Sequence, residues 1–319
     1  MNSEPANVRN ASSVPDAVTA LRNGELVGMP TETVYGLAAD ASNPEAVARV
    51  FAAKGRPSFN PLISHVASIE AATREGVFDE RAIALANELW PGPLTLVVPV
   101  AGTARTCELA RAGLSTIGLR VPQHPLAREL LGAFDGPLSA PSANPSGRLS
   151  PTRSEDVARE LGDRVSMVLD GGQCKAGIES TIVALSPDEP ARLLRPGAID
   201  RETIEALIGP LAEPVRDRIS APGQLASHYA PRAQLRLNAM GAEPGEVLLG
   251  FGLDAPADAA NLSSAGDTVE AAANLYGLLR ELDGSGVETI AVMPIPDTGL
   301  GEAINDRLRR AAAPRTGSD

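Results

Sequence analysis

Most of the familiar catalytic signatures are missing from this chain. It has 319 residues but only two cysteines, three histidines and 3% aromatic residues. Cys107 and Cys174 lack metal-site spacing and suit a reducing compartment better than a disulfide. No Walker-type P-loop, HExxH, CxxC or GxSxG sequence occurs, which sets aside those phosphate, zinc, redox and serine-nucleophile devices. No apolar run approaches the length of a membrane span. The opening "MNSEPANVRNASS" has no apolar signal core, so residues 1–13 read as a disordered lead-in and the protein as cytoplasmic. Net charge is −12, which argues against a broad basic face gripping nucleic acid. Of 28 basic residues only Lys54 and Lys175 are lysines, so each one stands out.

What the chain does have is interleaved strand and helix signals, which make it α/β with a mixed, strongly twisted sheet. A helix over about Asp16–Arg22 stops at Gly24, and "ELVGMP" follows as a strand. "NPEAVARVFAAKG" carries a complete helix signature, with Asn43 as cap, Pro44 in the first turn and Gly55 as stop. "PLISHV", "LTLVVPV", "STIGLRVP", "VSMVLD", "STIVAL" and "ARLLRP" read as strands. Helices are expected over "DERAIALANELW" and near His124–Phe134, Ser154–Leu161 and Asp200–Ile208. The proline-rich run "GPLAEPVRDRISAPGQLASHYAP" reads as a linker. Beyond it, "EVLLGF", "VEAAANLYGLLRELD", "VETIAVMP" and "GEAINDRLRRAAA" make a second, smaller α/β unit. Gly250 and Gly252 match part of a dinucleotide fingerprint, but its third glycine and helix are missing.

Three stretches concentrate polar groups. "APSANPSGRLSPT", Ala140–Thr152, packs four hydroxyls, one asparagine and one arginine among three prolines. Such a stiffened loop can cradle phosphates with hydroxyls and backbone N–H groups. "PTETVYGL" offers more hydroxyls. "KGRPSFNPLISH" sets Lys54 and Arg56 two residues apart after a helix, where both cations can converge on one anion. His65 closes the following strand, Arg120 ends "STIGLRVP" in position to clamp a carboxylate, and Ser180 and Arg195 sit at strand boundaries. His124, beside Pro125, reads as a cap or surface residue. Together these segments suit a nucleotide next to a small carboxylate-bearing substrate, with no protein nucleophile.

With those motifs in view, the chain resembles the YrdC-domain family of threonylcarbamoyl-AMP synthases in its long form. "PTETVYGL", "KGRP…NPLISH", "PGPLTLV", "LRVP", "SAPSANPSG", "ESTIV" and "LRPG" follow the family's order, and "APGQLASHYAP" is similar to its interdomain linker. The resemblance implies a twisted mixed-sheet YrdC-like domain over 14–209, a linker or lid over 210–231, and a small Rossmann-like α/β domain over 232–319. The implied reaction joins L-threonine, bicarbonate and ATP into threonylcarbamoyl-adenylate and releases pyrophosphate, with Mg2+ accompanying ATP. Partner proteins would then pass the threonylcarbamoyl group to tRNA, with at most weak direct contact between this chain and tRNA and no role for membrane.

Carried over by position, the family's KxR…SxN catalytic set falls on Lys54, Arg56, Ser142 and Asn144. Threonine contacts fall on Thr33, His65, Arg120, Ala140 (through backbone) and Ser180. Nucleotide contacts fall on Lys54, Arg56, Asn60, Thr116, Ser142, Asn144, Ser150 and Arg195, with Tyr229 reaching in from the linker. The competing class is an RNA-binding or ribosome-associated protein, which the charge and the hydroxyl-rich pocket oppose. Another carbamoyl-adenylate maker, as in hydrogenase maturation, would carry zinc-finger and acylphosphatase modules that are absent here.

Overall fold

The computed structural model describes residues 8–9, 13–187, 189–213, 221–223 and 227–314. The first unit opens with β1 (Val8–Arg9), α1 (Val14–Arg22), β2 (Val27–Met29), β3 (Gly36–Asp40) and α2 (Pro44–Lys54). It continues through β4 (Ile63–His65), α3 (Ile69–Glu75), α4 (Glu80–Leu89), β5 (Leu94–Pro99) and β6 (Thr116–Arg120). Next come α5 (Pro125–Phe134), β7 (Leu138–Ser139), α6 (Ser154–Leu161) and β8 (Met167–Leu169). It ends with β9 (Thr181–Ala184), β10 (Arg192–Arg195) and α7 (Arg201–Ile208). Ten strands share one mixed sheet in the order β1-β8-β2-β3-β7-β4-β6-β5-β9-β10.

Local chemistry explains most of these elements. Asn43 accepts hydrogen bonds from the Glu45 and Ala46 N–H groups, Pro44 opens α2, and Gly55 closes it at a left-handed φ of 60°. His124 is the cap of α5, with its ring accepting from the Leu126 N–H. Residues 1–13 were expected to lack structure, but Val8–Arg9 pair in parallel with Val168 and Leu169. That edge pairing corrects the expectation for this dipeptide; residues 1–7 and 10–12 lie outside the described residues. The strand β3, "GLAAD", has no β-branched residue and so no strand signal. It is fixed by antiparallel partners on both sides, β2 and β7.

The second unit has β11 (Gln234–Arg236), β12 (Glu246–Gly250), β13 (Ala260–Asn261), α8 (Thr268–Gly284), β14 (Thr289–Val292) and α9 (Gly301–Ala312). Its four strands form a parallel sheet in the order β11-β14-β12-β13. The two units share apolar packing: Val34, Leu149, Ile178 and Tyr229 belong to the same buried cluster as Leu275, Tyr276, Ile304 and Leu308. At Gly177, φ is +69°, and a Cβ would come within 2.5 Å of the Ala272 and Ala273 region of α8. Only glycine lets α8 approach this closely. Within the linker expected over 210–231, residues 214–220 and 224–226 lie outside the described residues.

Candidate functional site

The end of α2 delivers Lys54 into the interior. Its Nζ donates to the backbone carbonyls of Ser142 and Asn144, each at 2.5 Å. Ser146 N–H returns a bond to the Lys54 carbonyl at 2.7 Å. The "KGR" and "SAN" segments are therefore one structural unit, although about ninety residues of chain separate them. Arg56 spends its donors on the carbonyls of Asn60 (3.2 Å) and Pro61 (2.9 Å). The Asn144 amide holds its own loop through the carbonyls of Pro145 and Arg148, both at 2.9 Å. Ala143 N–H donates to the Tyr35 carbonyl, and Leu37 N–H to that of Pro141. These bonds zip the hydroxyl-rich loop to β3.

Parallel pairing of β4 with β6 sets His65 beside Arg120. The Arg120 Nη2 lies 2.6 Å from Glu32 Oε1, its Nη1 donates to Thr33 Oγ1 at 3.0 Å, and its Nε to the Gly92 carbonyl at 3.3 Å. Thr31 gives its single hydroxyl proton to the Val34 carbonyl at 2.7 Å. Thr33, 2.8 Å from the Thr31 oxygen, must therefore donate to it and accept from Arg120. Burial pushes the Glu32 carboxyl up, but the Arg120 charge and hydrogen bond outweigh it and hold the group below the ordinary range. Burial, then Arg120, push the His65 imidazole down to about 3, so the ring is neutral. Its Nδ1 is buried without a partner.

The third wall joins β9 and β10 to the linker. Arg195 donates from Nε and Nη2 to the Ser180 carbonyl at 3.1 and 2.9 Å, and from Nη2 to Ser180 Oγ at 3.1 Å. Thr95 and Ser180 share a hydroxyl contact of 2.8 Å. Glu179 accepts from Ser150 Oγ at 2.6 Å. Tyr229 stands over this wall with a left-handed φ of 62°, unusual for a bulky residue and held by its neighbours. His228 N–H donates to the Arg310 carbonyl of α9 and Ala230 N–H to the Gly147 carbonyl, which pins the segment on both sides. A Cβ at Gly223, where φ is +84°, would lie 2.6 Å from the Tyr229 hydroxyl, so a glycine is required there.

The structure gathers Thr33, Arg56, His65, Arg120 and Ala140 around one hollow, with Ser142, Ser180, Arg195 and Tyr229 completing its wall. Lys54, Asn144 and Ser150 are buried behind that lining. Asn60 is fully buried, with neither end of its carboxamide satisfied, and does not line the hollow. Thr116 pairs with Pro99 at the opposite end of β6 from Arg120, outside the lining. Four groups went unread in the sequence: Glu32, Glu179, His228 and, from the second unit, Arg307. The signals for the first three were local: an acid between two threonines in "TET", the acid of "GIEST", and the imidazole of "SHYAP".

The charge pattern is uneven. Lys54, Arg56 and Arg195 are buried cations with no carboxylate bridge among the described residues. Burial pushes the Lys54 amine well below the ordinary lysine range, with Arg56 adding to it and Glu160 opposing. Burial likewise lowers Arg56 to about 10. Buried charges held only by neutral oxygens are costly, and an arriving anion relieves that cost. The free space in the hollow is about 50 Å³, room for a few waters. The Cys174 thiol is buried and pushed up to about 12, so it is no nucleophile. Among the described residues no group of three or more His, Cys, Asp or Glu could hold a metal ion, and no helix is long and apolar enough to cross a membrane.

Known proteins are similar to this chain in sequence and in fold. Residues 19–197 match the Sua5/YciO/YrdC family model, described as "Telomere recombination". Residues 199–313 match a model described as "Threonylcarbamoyl-AMP synthase, C-terminal domain". The chain is 39% identical to a threonylcarbamoyl-AMP synthase of Bacillus subtilis, covering 96% of this chain and 94% of that one. It is also 39% identical to one from Pyrococcus abyssi, covering 92% of each. The crystal structure of P. abyssi Sua5 complexed with L-threonine superposes with a TM-score of 0.87 at 35% identity, covering 96% of this chain and 97% of the other.

Proposed function

The chain belongs to the threonylcarbamoyl-AMP synthase family, and we propose that its hollow joins L-threonine, bicarbonate and ATP into L-threonylcarbamoyladenylate with release of pyrophosphate. The observation that carries this reading is the set of buried cations, Lys54, Arg56 and Arg195, whose bonded partners among the described residues are neutral oxygens. Polyanionic phosphates fit that end. The other end, where Arg120 is already balanced by Glu32, fits a zwitterionic amino acid.

In this reading the neutral amine of threonine adds to carbon dioxide derived from bicarbonate and loses a proton, giving a carbamate. A carbamate oxygen attacks the α-phosphorus of ATP in line, forming the new P–O bond as the bond to pyrophosphate breaks. The nucleophile comes from substrate, so the protein positions reactants and offsets charge. Thr33, His65, Arg120, the Ala140 backbone and Ser180 hold threonine. Ser142 and Asn144 bind the α-phosphate or carbamate, while Lys54, Arg56 and Arg195 balance the phosphates. The unsatisfied Asn60 carboxamide and the Ser150 hydroxyl are available to the nucleoside side after local rearrangement.

Magnesium accompanies the phosphates and supplies charge neutralisation there. Glu179 in the lining and Glu32 behind it already hold arginines, so the described residues offer that ion no free carboxylate in the hollow. Gly223 and Tyr229 line the hollow, and in this reading the segment that carries them acts as a lid that keeps water from the mixed anhydride. The product would pass to cytoplasmic proteins that transfer threonylcarbamoyl to tRNA, with this acidic chain contributing weak tRNA contact at most. Incubation with ATP, bicarbonate and threonine tests the reading: pyrophosphate release that needs all three supports it, and release without threonine overturns it.

A further inference from the structure

Two buried carboxylates meet arginines at the hollow: Glu179 is part of its lining, and Glu32 lies behind the lining residues Thr31 and Thr33. Glu32 is covered from within its own unit by Arg120. Glu179 is covered from the other unit: Arg307 of α9 places Nε 2.6 Å from its Oε2. Tyr276 of α8 adds a hydroxyl 3.1 and 3.0 Å from the two Glu179 oxygens. Arg307 is 1% exposed, a buried charge on a helix that contributes no residue to the lining itself. Its remaining donors reach the Pro196 carbonyl at 3.0 Å and Asp306 at 2.7 Å. Its guanidinium carbon lies 4.9 Å from the Tyr229 ring centroid, within cation–π range.

We infer that Arg307 is a positioning residue of the reaction: by neutralising Glu179 it keeps the phosphate end of the hollow cationic, so the C-terminal unit sets nucleotide affinity. The inference rests on the reading above, in which that end accepts a triphosphate. Left uncovered, Glu179 would place a negative charge in the wall beside Arg195, cancelling one of three cations. The groups facing Glu179 are Arg307, Arg195, Ser150, Tyr276, Tyr229 and His228. Asp306 faces Arg307 from the far side and is itself held by Arg310 at 3.0 Å. Burial raises the Glu179 carboxyl, but Arg307, Arg195 and the Ser150 bond bring it down to about 2. With Arg307 gone, burial gains ground and the carboxyl rises towards ordinary or higher values. Mild acid would then protonate it and remove the unwanted charge.

The test is ATP–Mg2+ binding by titration calorimetry on the full chain without threonine, at pH 7.5 and 5.5. Arg307→Met should weaken binding at pH 7.5 by tenfold or more and recover part of that loss at pH 5.5. Glu179→Gln/Arg307→Met should bind within about threefold of wild type at both pH values. Arg201→Met cuts the Arg201–Glu302 bridge between the units (2.8 Å) and should leave binding unchanged. Equal weakening by Arg307→Met and Arg201→Met, or no recovery in the double variant, would reduce Arg307 to a docking residue and overturn the inference. Should Arg307→Met fail to fold, Glu179→Gln alone decides: one fewer negative charge should tighten ATP binding severalfold, and unchanged or weaker binding overturns the inference. Wild-type protein that binds ATP but releases no pyrophosphate would refute the reaction and leave this charge comparison readable.

Discussion

The two ends of the hollow are built from the same residue types and differ in how their charges are met. At one end Arg120 is balanced by Glu32 and fixed by Thr33 and the Gly92 carbonyl. At the other, Lys54, Arg56 and Arg195 have only carbonyl and hydroxyl partners among the described residues. The first is neutral and pre-organised, suited to reading the shape and hydrogen bonds of a zwitterion. The second stores uncompensated positive charge until an anion arrives. One end selects and the other drives.

The sharpest way to test that division is at the selective end. Thr33 and Ser180 are buried hydroxyls already engaged in directed hydrogen bonds, and such a site rejects a substrate lacking the matching group. Replacing threonine by 2-aminobutyrate should lower kcat/KM by about a thousandfold or more, and serine, which lacks only the methyl, by far less. Equal turnover of threonine and 2-aminobutyrate would show that the hydroxyl goes unread. At the driving end, Lys54→Ala should lower kcat by roughly a hundredfold or more with the fold intact. Near-normal pyrophosphate release from a folded Lys54→Ala protein would remove Lys54 from the chemistry.

Smaller effects concern what closes and supports the two ends. Tyr229→Ala should cost about tenfold in adenylate yield, through faster loss of product rather than weaker threonine binding. A rapid-quench comparison of enzyme-bound and free adenylate separates those possibilities. Burial and neighbouring cations push both His65 and His228 down to about 3, although Glu179 pulls His228 the other way. Folded values below the unfolded value of about 6.5 mean that the unfolded chain binds more protons between those limits, so stability falls as pH drops from 6.5 towards 3. Each ring should account for roughly 2 kcal/mol at most between pH 7 and 5. Urea midpoints at pH 7 and 5 should therefore diverge less in His65→Gln than in wild type.

Legibility in the sequence followed the range of the forces involved. The caps and stop of α2 were plain because Asn43, Pro44 and Gly55 act within a few residues of themselves. The strand β3 was not, since "GLAAD" becomes a strand through its partners. Candidate residues on both walls could be named from their motifs, but Arg120's partner Glu32 and Glu179's partner Arg307 could not. The second pairing joins positions 128 residues apart, and α9 reads only as an amphipathic helix with several arginines. Thr116 and Asn60 show the opposite limit: a position inside a motif does not say which way its side chain points.

Uncompensated cations, not the paired arginine, receive the nucleotide. A crystal structure of the chain with ATP, Mg2+ and L-threonine decides this. Phosphate oxygens should lie about 3 Å from the side-chain nitrogens of Lys54, Arg56 or Arg195, with the threonine carboxylate on Arg120 and the Arg120–Glu32 bridge retained. Phosphates seated on Arg120, with Glu32 displaced and Lys54 still bound to its two carbonyls, would contradict it.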